Sequence, residues 1–387
     1  MFLRRLQETA PELIDFTLYA HRKGLLLPDT YVIDLEIIRE NARKILSASR
    51  EQGVKLYYML KQLGRNPVLA RMLDELGYEG AVAVDFREAL TFARNGTRLG
   101  HVGNLGQIPE GALDAVLAAR PHIVTVFSLE KAKSLQRAAE KAGIVQPIQL
   151  RLSDETGPCY PGQSGGFAPR ELPELLPELR KLPNLRLAGL CAFPSFLCDP
   201  EGRTVSPTGN AALVRQAREF LEAEGFTDLE INLASVTCCQ TMPAIAALGG
   251  NRGEPGHGLS GTTPLHRHPG QPERIGYLYL SEISHNTGGH ACCYGGGFYP
   301  RGHLENAICG IRRTPVGVLP PSAENIDYYF ELSQPRTVGE PVIMCFRTQM
   351  FTCRSQVVLV DSAAGKLLGR FNGLGMATGG ETAWEDL

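Results

Sequence analysis

The chain of 387 residues is long enough for one large domain and a smaller one, and its 43% hydrophobic and 21% charged content is typical of a globular protein. The formal net charge is −2 and the sequence has no basic run, so the chain lacks the positive charge typical of proteins that bind nucleic acid or an anionic membrane surface. No stretch has the length and apolarity of a membrane span, and adjacent cysteines at 238–239 and 292–293 suit a reducing compartment. We therefore expect a cytoplasmic protein that binds neither nucleic acid nor membrane.

Short apolar strands alternate with amphipathic helices over residues 31–259. The pattern starts with a strand at 31–35 and a helix at 35–52, and its last clear strand is at 229–233. This alternation predicts parallel β/α units, and about eight of them close a TIM-type (β/α)8 barrel. A doubly wound open sheet is the alternative, although no G-x-G-x-x-G turn follows the first strand.

The character of the sequence changes after about residue 271. Short β runs follow one another, separated by turns rich in glycine and proline, and no long helical pattern occurs among them. We therefore predict three segments: an N-terminal helical segment at 1–30, the barrel at 31–270, and a C-terminal all-β domain at 271–387.

A lysine, Lys61, ends the apolar strand predicted at 54–61 and is followed by a polar loop. The carboxyl ends of buried strands are where α/β barrels carry their active sites. A desolvated lysine has a lowered pKa and is able to form a Schiff base. The alternative is a strand-end lysine whose amine extends into solvent.

A second informative segment is the loop at 253–261, which has four glycines in nine residues. Backbone N–H groups in such a loop converge readily on an anion, and loops after the last barrel strands are a common phosphate site. The alternative is a tight crossover into the β domain. Upstream, the hydroxyls of Ser235 and Thr237 are placed to serve the same phosphate or to cap the next helix.

These two segments carry a resemblance. Residues 31–61, with a strand that ends in lysine, resemble the barrel of alanine racemase, and Glu254-Pro255-Gly256-His257 is similar to the Arg-Pro-Gly of those racemases and to the Glu-Pro-Gly-Arg of ornithine and diaminopimelate decarboxylases. The likeness covers most of the chain, which as a whole resembles the YhfX family of this fold type III group. It implies pyridoxal 5′-phosphate as the cofactor, Lys61 as its Schiff-base lysine and Glu254 as the partner of its ring nitrogen.

Glu254 changes the protonation state that we expect for the ring nitrogen of the cofactor. A carboxylate beside the pyridine nitrogen favours the protonated ring, which is a strong electron sink, whereas the racemase arginine keeps the nitrogen unprotonated. The resemblance therefore departs from alanine racemase toward the decarboxylases at this position.

The resemblance also implies further contacts to the cofactor and substrate. Phosphate contacts carry over to Ser235 and to the backbone of Gly256 and His257, and Arg65 replaces a phosphate-binding tyrosine. The remaining expected residues are Tyr57, which matches a family tyrosine; Phe193, which stacks on the ring in place of a histidine; Gln163, in place of an arginine at the pyridoxal hydroxyl; and Arg347, which holds the substrate carboxylate.

Enzymes of this group complete the active site with the β domain of a partner subunit, so the resemblance implies a homodimer with shared active sites. Candidates for the second acid/base are Tyr294, Cys292 and His285, with Cys293 pointing to the opposite strand face from Cys292 and Tyr294. Arg301 and His303 are further candidates, beside Arg347, for holding the substrate carboxylate. No histidine or cysteine cluster has a convincing metal-ligand spacing, so no metal is expected.

The function we expect is that of a pyridoxal-phosphate-dependent racemase or epimerase acting at Cα of a free amino acid. A decarboxylase of the ornithine or diaminopimelate type is the alternative, because Glu254 suits it. A pyridoxal-phosphate-binding protein without turnover and an unrelated barrel hydrolase are further alternatives.

Overall fold

The computed structural model describes residues 2–295, 302, 304–322, 324–325, 328–350 and 354–378. The chain divides into two compact units. We call residues 44–60 and 70–256 the barrel unit, and residues 1–43, 61–69 and 257–387 the β unit.

The described helices and strands alternate in the first two thirds of the chain, and strands dominate afterwards. The helices are α1 (Phe2–Thr9), α2 (Pro11–Arg22), α3 (Leu35–Glu51), α4 (Pro67–Leu76), α5 (Phe86–Arg94), α6 (Leu113–Ala118), α7 (Leu129–Lys141), α8 (Leu172–Leu179), α9 (Gly209–Ala223) and α10 (Met242–Ala247). The strands are β1 (Thr30–Asp34), β2 (Lys55–Leu56), β3 (Ala81–Ala83), β4 (Leu99–Val102), β5 (Ile123–Val126), β6 (Gln146–Arg151), β7 (Leu185–Cys191), β8 (Phe196–Cys198), β9 (Val205–Pro207), β10 (Glu230–Asn232), β11 (Arg252–Gly253), β12 (Tyr277–Thr287), β13 (His290–Tyr294), β14 (Asn306–Cys309), β15 (Thr314–Gly317), β16 (Tyr329–Leu332), β17 (Pro341–Met344), β18 (Gln356–Asp361) and β19 (Lys366–Phe371).

The barrel unit contains eight parallel strands in the order β2-β11-β10-β7-β6-β5-β4-β3. A parallel bridge between Tyr58 and Ala81 joins the two end strands, with the Tyr58 N–H donating to the Gly80 carbonyl at 3.0 Å and the Val82 N–H donating to the Tyr58 carbonyl at 2.7 Å. The ring of strands is therefore closed, which confirms the predicted (β/α)8 barrel followed by a β domain.

One strand was assigned to the wrong sheet. The strand at 31–35, expected to open the barrel, is β1 of the β unit, where it pairs antiparallel with β12 and parallel with β18. All five residues of β1 are buried, so its apolar pattern is the same as that of a barrel strand, and sequence does not tell which sheet it joins. The eighth barrel strand is instead β11, whose two residues are too few for a recognisable apolar run.

The β unit has a nine-stranded sheet in the order β15-β14-β17-β12-β1-β18-β19, with β13 beside β12 and β16 beside β13. Helices α1 and α2 carry apolar residues at helical spacing. Leu6, Leu13 and Ile14 from these helices share one buried core with Val32 of β1 and Leu278 of β12. The N-terminal helices therefore belong to the core of this sheet. Among the described residues, no helix is both long enough and apolar enough to cross a membrane.

The amino-terminal end of the barrel carries a partly buried ionic network. Glu230 accepts hydrogen bonds from the Tyr57 hydroxyl at 2.8 Å and from Arg252 at 2.6 Å, and His122 lies 2.7 Å away. Arg252 also pairs with Glu79. Burial by itself would raise the pKa of Glu230, but the hydrogen bond from His122, the charge of Arg252 and the Tyr57 hydroxyl lower it to about 2.

This network predicts a specific acid sensitivity. Because the pKa of Glu230 falls from 4.5 to about 2 on folding, the unfolded chain binds more protons between these values. The stabilisation, on the order of 3 kcal/mol, is therefore complete above about pH 4.5 and is lost as the pH falls toward 2. In Glu230→Gln, the free energy of unfolding should be lower at pH 7 and should lose this part of its pH dependence. Urea titrations between pH 2 and 7 measure both.

The exposed Glu219 on α9 provides a matched control, since Glu219→Gln removes the same charge from the same unit. An unchanged acid slope in Glu230→Gln, with wild-type stability at pH 7, would contradict the role given to the network.

Candidate active site

Polar side chains fill the interior of the barrel near the carboxyl ends of its strands. Successive residues of a strand point to opposite faces, so Gln149 and Arg151 of β6 share the inward face. Arg151 lies in register with Cys191 of β7, and Cys191 with Asn232 of β10. All these side chains are buried. The barrel therefore has a lower polar layer at Gln149 and an upper one at Arg151, Cys191 and Asn232.

Glu254 follows β11 and enters this upper layer. Its Oε1 accepts a hydrogen bond from Asn232 Nδ2 at 2.6 Å and lies 2.5 Å from His101 Nδ1. The side chains of His101 and Glu254 are 0% and 1% exposed. A carboxylate this deeply buried is tolerated only when hydrogen bonds or a charged partner replace its water, and these two nitrogen donors satisfy one of its two oxygens.

The second oxygen, Oε2 of Glu254, is buried and has no hydrogen-bond partner within the part of the chain that the structure describes. Leaving such an atom unpaired costs about 1–3 kcal/mol or more for a charged group. Gln149 Oε1, Asn232 Oδ1 and Arg151 Nε, from the same two layers, share this property. Unpaired buried polar atoms are rare in folded proteins, so this concentration of them indicates a site that a polar ligand completes.

Arg151 brings a positive charge into this interior. It is 1% exposed, and its guanidinium donates to the carbonyls of Asn104 at 2.8 Å and Gln163 at 2.7 Å. The guanidinium also lies 4.9 Å from the centre of the Phe127 ring. Among the described residues it forms no ion pair. Arg151 therefore supplies a buried cation to this interior, and the charges of Arg151 and Glu254 both act on the Cys191 thiol.

The loop after β10 has the backbone expected of an anion site. Ser235 and Val236 adopt φ values of 127° and 51°, a strained region for residues other than glycine. No described residue accepts a hydrogen bond from the N–H of Ser235, Val236 or Gly256. Thr237 Oγ1 accepts a long hydrogen bond of 3.4 Å from the Glu254 N–H, which ties this loop to the segment after β11. Free N–H groups in such loops bind anions.

Lys61 occupies the position that its sequence context predicts, directly after the strand beside β11. The Met59 N–H donates to the Pro255 carbonyl at 3.0 Å, so the chain two residues before Lys61 is hydrogen-bonded to the residue after Glu254. Lys61 begins a 3-10 turn and is only 9% exposed. The alternative of a solvent-exposed strand-end lysine is therefore wrong.

Other predicted contacts of the barrel unit have mixed outcomes. Phe193 follows β7 and is half-buried, with its ring centre 5.8 Å from that of Tyr160. The backbone carbonyl of Gln163 accepts a hydrogen bond from Arg151. The buried side-chain Oε1 of Gln163 has no hydrogen-bond partner among the described residues. The Ser235 hydroxyl donates to the Phe196 carbonyl at 2.7 Å, so its proton is not available to a phosphate. Only the Ser235 backbone N–H remains for that role.

Tyr57 lies at the other end of the barrel. Its hydroxyl donates to Glu230, and Arg252 lies 5.1 Å from the centre of its ring. Burial and the Glu230 charge raise its pKa well above the usual value. The Tyr57 ring centre is also 6.4 Å from that of His101, and the Tyr57 hydroxyl is bound by Glu230 rather than by Glu254.

Three predicted residues lie within the β unit. Arg65 is 4% exposed and donates to the Gly373 carbonyl at 3.0 Å. His257 Nδ1 is 3.2 Å from Thr262 Oγ1. Arg347 is half-buried, and its charge acts on the buried Tyr277 hydroxyl. Each is an ordered polar group, and their roles stay predictions.

The proposed acid/base residues form one stripe on strands β12, β13 and β16. His285 lies opposite Cys292, and Tyr294 lies opposite Tyr329. The Tyr329 ring is 5.1 Å from His285 and 5.8 Å from Tyr294. Tyr294 is 37% exposed and His285 is exposed as well. This stripe therefore presents a phenol and an imidazole to its surroundings.

The cysteines of β13 are less suited to proton transfer. Cys293 is fully buried, and burial raises the pKa of its thiol to about 12. Burial and the nearby Glu331 carboxylate also raise the pKa of Cys292. Arg301 and His303 lie outside the described residues. Among the residues that are described, no group of three His, Cys, Asp or Glu is arranged to hold a metal ion.

Sequence reasoning missed His101, Arg151 and Asn232. Each is a polar residue inside a short buried strand, and Gln149 and Arg151 stand two residues apart in an otherwise apolar run. Polar residues at alternate positions of a buried strand would have indicated side chains that point into the barrel, because such positions share the inward face of a closed sheet.

Comparison with known proteins agrees with this layout. Residues 33–264 match the family described as alanine racemase, N-terminal domain, and residues 278–366 match the YhfX-like C-terminal domain. The chain is 40% identical to the uncharacterized protein YhfX of Escherichia coli K12 over 386 residues, which cover 98% of this chain and all of that protein. It is 29% identical over 133 residues to the pyridoxal phosphate homeostasis protein of Pseudomonas aeruginosa, covering 33% of this chain and 50% of the relative.

Solved structures share the fold at low identity. An alanine racemase of Clostridium difficile 630 in complex with cycloserine superposes with a TM-score of 0.64 at 17% identity, covering 89% of this chain and 98% of the other. A D-threo-3-hydroxyaspartate dehydratase from Delftia sp. HT23 also gives 0.64 at 17% identity, covering 87% and 95%. One fold therefore carries different reactions in these proteins.

Proposed function

The chain belongs to the family of the alanine racemase N-terminal domain, and from this membership we propose that it is a pyridoxal-phosphate-dependent racemase or epimerase acting at Cα of a free amino acid. The observation that carries the proposal is the buried, unpaired Oε2 of Glu254 at the carboxyl end of the barrel. It lies on the strand beside the one that leads into Lys61.

The residues present fit the cofactor. Glu254 Oε2 would accept the N–H of a protonated ring nitrogen, and the N–H groups of Ser235, Val236 and Gly256 would hold the phosphate. The half-buried ring of Phe193 offers a face for stacking. When bound, pyridoxal phosphate acts as an electron sink that acidifies the Cα substituents of an attached amino acid.

Lys61 has two tasks in this proposal. Its amine would hold the cofactor in the resting enzyme and would be released when a substrate amine takes its place. The buried position of Lys61 would keep water away from the amine during both tasks. Lys61 would then take or return the Cα proton on one face of the substrate.

A racemase also requires an acid/base on the opposite face. Tyr294 and His285 are the exposed candidates, whereas Cys292 is buried with a raised pKa. We propose that a partner subunit presents this stripe to the barrel, so that the active enzyme is a homodimer with shared sites. Arg347 and Arg65 would then serve the substrate carboxylate and the cofactor phosphate.

A second candidate is an amino-acid decarboxylase, and Glu254 is the observation that favours it. A carboxylate at the ring nitrogen strengthens the electron sink, which loss of carbon dioxide requires as much as loss of a proton does. A cofactor-binding protein without turnover is a third candidate, favoured by the partial likeness to the pyridoxal phosphate homeostasis protein.

The first prediction concerns Lys61. The protein purified with pyridoxal phosphate should show a visible absorbance band that borohydride bleaches, and peptide mapping should place the reduced label on Lys61. Lys61→Ala should abolish the band. Lys55→Ala is the matched control, because Lys55 begins the same strand at its amino end and its side chain is 67% exposed. A band that survives in Lys61→Ala would remove the basis of the proposal.

The second prediction concerns the phosphate loop. Because the Ser235 hydroxyl already donates to a carbonyl, Ser235→Ala should change the dissociation constant for the cofactor by less than about threefold. Equilibrium titration of the apoprotein measures the constant. A loss of tenfold or more would show that the hydroxyl itself binds the phosphate.

The third prediction separates the two reactions. With a panel of L-amino acids in deuterated water, a racemase should destroy optical rotation and incorporate deuterium at Cα without releasing carbon dioxide. Tyr294→Phe should slow racemisation about 100-fold or more while leaving the absorbance band intact. Tyr328→Phe, at an exposed tyrosine of the β unit, is the control. Gas release without racemisation would identify a decarboxylase instead.

A further inference from the structure

His101 is the buried hub of the barrel interior, and none of the functional motifs includes it. The imidazole is 0% exposed. Its Nδ1 lies 2.5 Å from Glu254 Oε1, and its Nε2 contacts Thr125 Oγ1 and lies 2.6 Å from Gln149 Nε2. Both ring nitrogens therefore have defined neighbours, which fixes the orientation of the ring.

The neighbours also determine where the ring carries its proton. The amide nitrogen of Gln149 is a donor only, and it donates to Thr125 Oγ1 at 2.9 Å and toward His101 Nε2. In this arrangement Nε2 faces an amide donor and Nδ1 faces a carboxylate oxygen, so Nδ1 is the ring nitrogen that is placed to donate to Glu254 Oε1.

Glu254 Oε1 thus receives two N–H donors, from His101 and from Asn232. These two donors fix the position of Oε1. They also prevent rotation of the carboxylate, because the two donors come from different strands, β4 and β10. Oε2 is left as the one oxygen of Glu254 without a described partner.

We propose that His101 is a positioning residue that holds the carboxylate of Glu254 in place and presents its Oε2 to the ring nitrogen of the bound cofactor. The inference rests on the proposed function, since it assigns the ring nitrogen to Glu254. It adds that the strength of the hydrogen bond between Glu254 and the ring nitrogen depends on the hydrogen bond that His101, on β4, donates to Glu254 Oε1. His101 itself does not touch the cofactor.

The test compares pyridoxamine 5′-phosphate with its 1-deaza analogue, in which a C–H replaces the ring nitrogen. Neither compound can react with Lys61, so calorimetry of the apoprotein gives their dissociation constants without turnover. The wild type should prefer the nitrogen compound about 10- to 100-fold, the range expected of a hydrogen bond to a charged group.

The variants test whether a hydrogen-bond donor at the position of His101 Nδ1 is required or whether any polar side chain at this position is sufficient. His101→Asn places an amide nitrogen near the position of Nδ1 and should retain most of the preference. His101→Gln and His101→Leu should reduce it to less than about threefold while both compounds still bind, because neither side chain donates from the Nδ1 position. His266→Leu is the control, since it removes another buried histidine paired with a glutamate, Glu273, in the β unit.

Each outcome discriminates. An unchanged preference in His101→Gln or His101→Leu, or its loss in His101→Asn and in His266→Leu alike, overturns the inference and leaves the proposed function standing. Equal binding of both compounds by the wild type overturns the inference as well, because the ring nitrogen then has no carboxylate partner. A wild type that binds neither compound would defeat the proposed function itself.

Discussion

The interior of this barrel depends on one buried carboxylate. Glu254 lies out of contact with water, where a charge costs several kcal/mol unless hydrogen bonds compensate for its lost hydration. His101 and Asn232 compensate one oxygen and leave the other unpaired. The barrel thus has a fixed, negatively charged acceptor near the ends of its strands. Arg151 and the N–H groups of the loop after β10 lie in the same unit, and we interpret them as the surroundings of a ligand that this acceptor binds.

This acceptor explains why the fold alone does not name the reaction. The solved structures with the same fold include a racemase and a dehydratase. The barrel of this chain offers a buried carboxylate, Glu254, and its β unit exposes a phenol at Tyr294 and an imidazole at His285. These groups are the basis of the racemisation that we propose, and the carboxylate is equally the basis of the decarboxylase alternative.

The sequence predicted the barrel well, because its alternation of strands and helices reflects parallel β/α units. It misplaced β1, whose two buried faces produce the same apolar pattern in either sheet, and it did not reveal β11, which is only two residues long. Lys61 and Glu254 could be picked out from the sequence because each stands in a local motif. His101, Arg151 and Asn232 could not be picked out, because they come into the same interior only when strands far apart in sequence close into a ring. Tyr57 was assigned by its spacing from Lys61, whereas in the structure its hydroxyl donates to Glu230.

The central claim is that Glu254 holds the ring nitrogen of the cofactor in its protonated form. The most direct measurement is the nitrogen-15 chemical shift of labelled pyridoxal phosphate bound to the wild-type protein near neutral pH. The shift should be that of a pyridinium nitrogen, and it should move to that of an unprotonated pyridine in Glu254→Gln. An unprotonated nitrogen in the wild type would contradict the account.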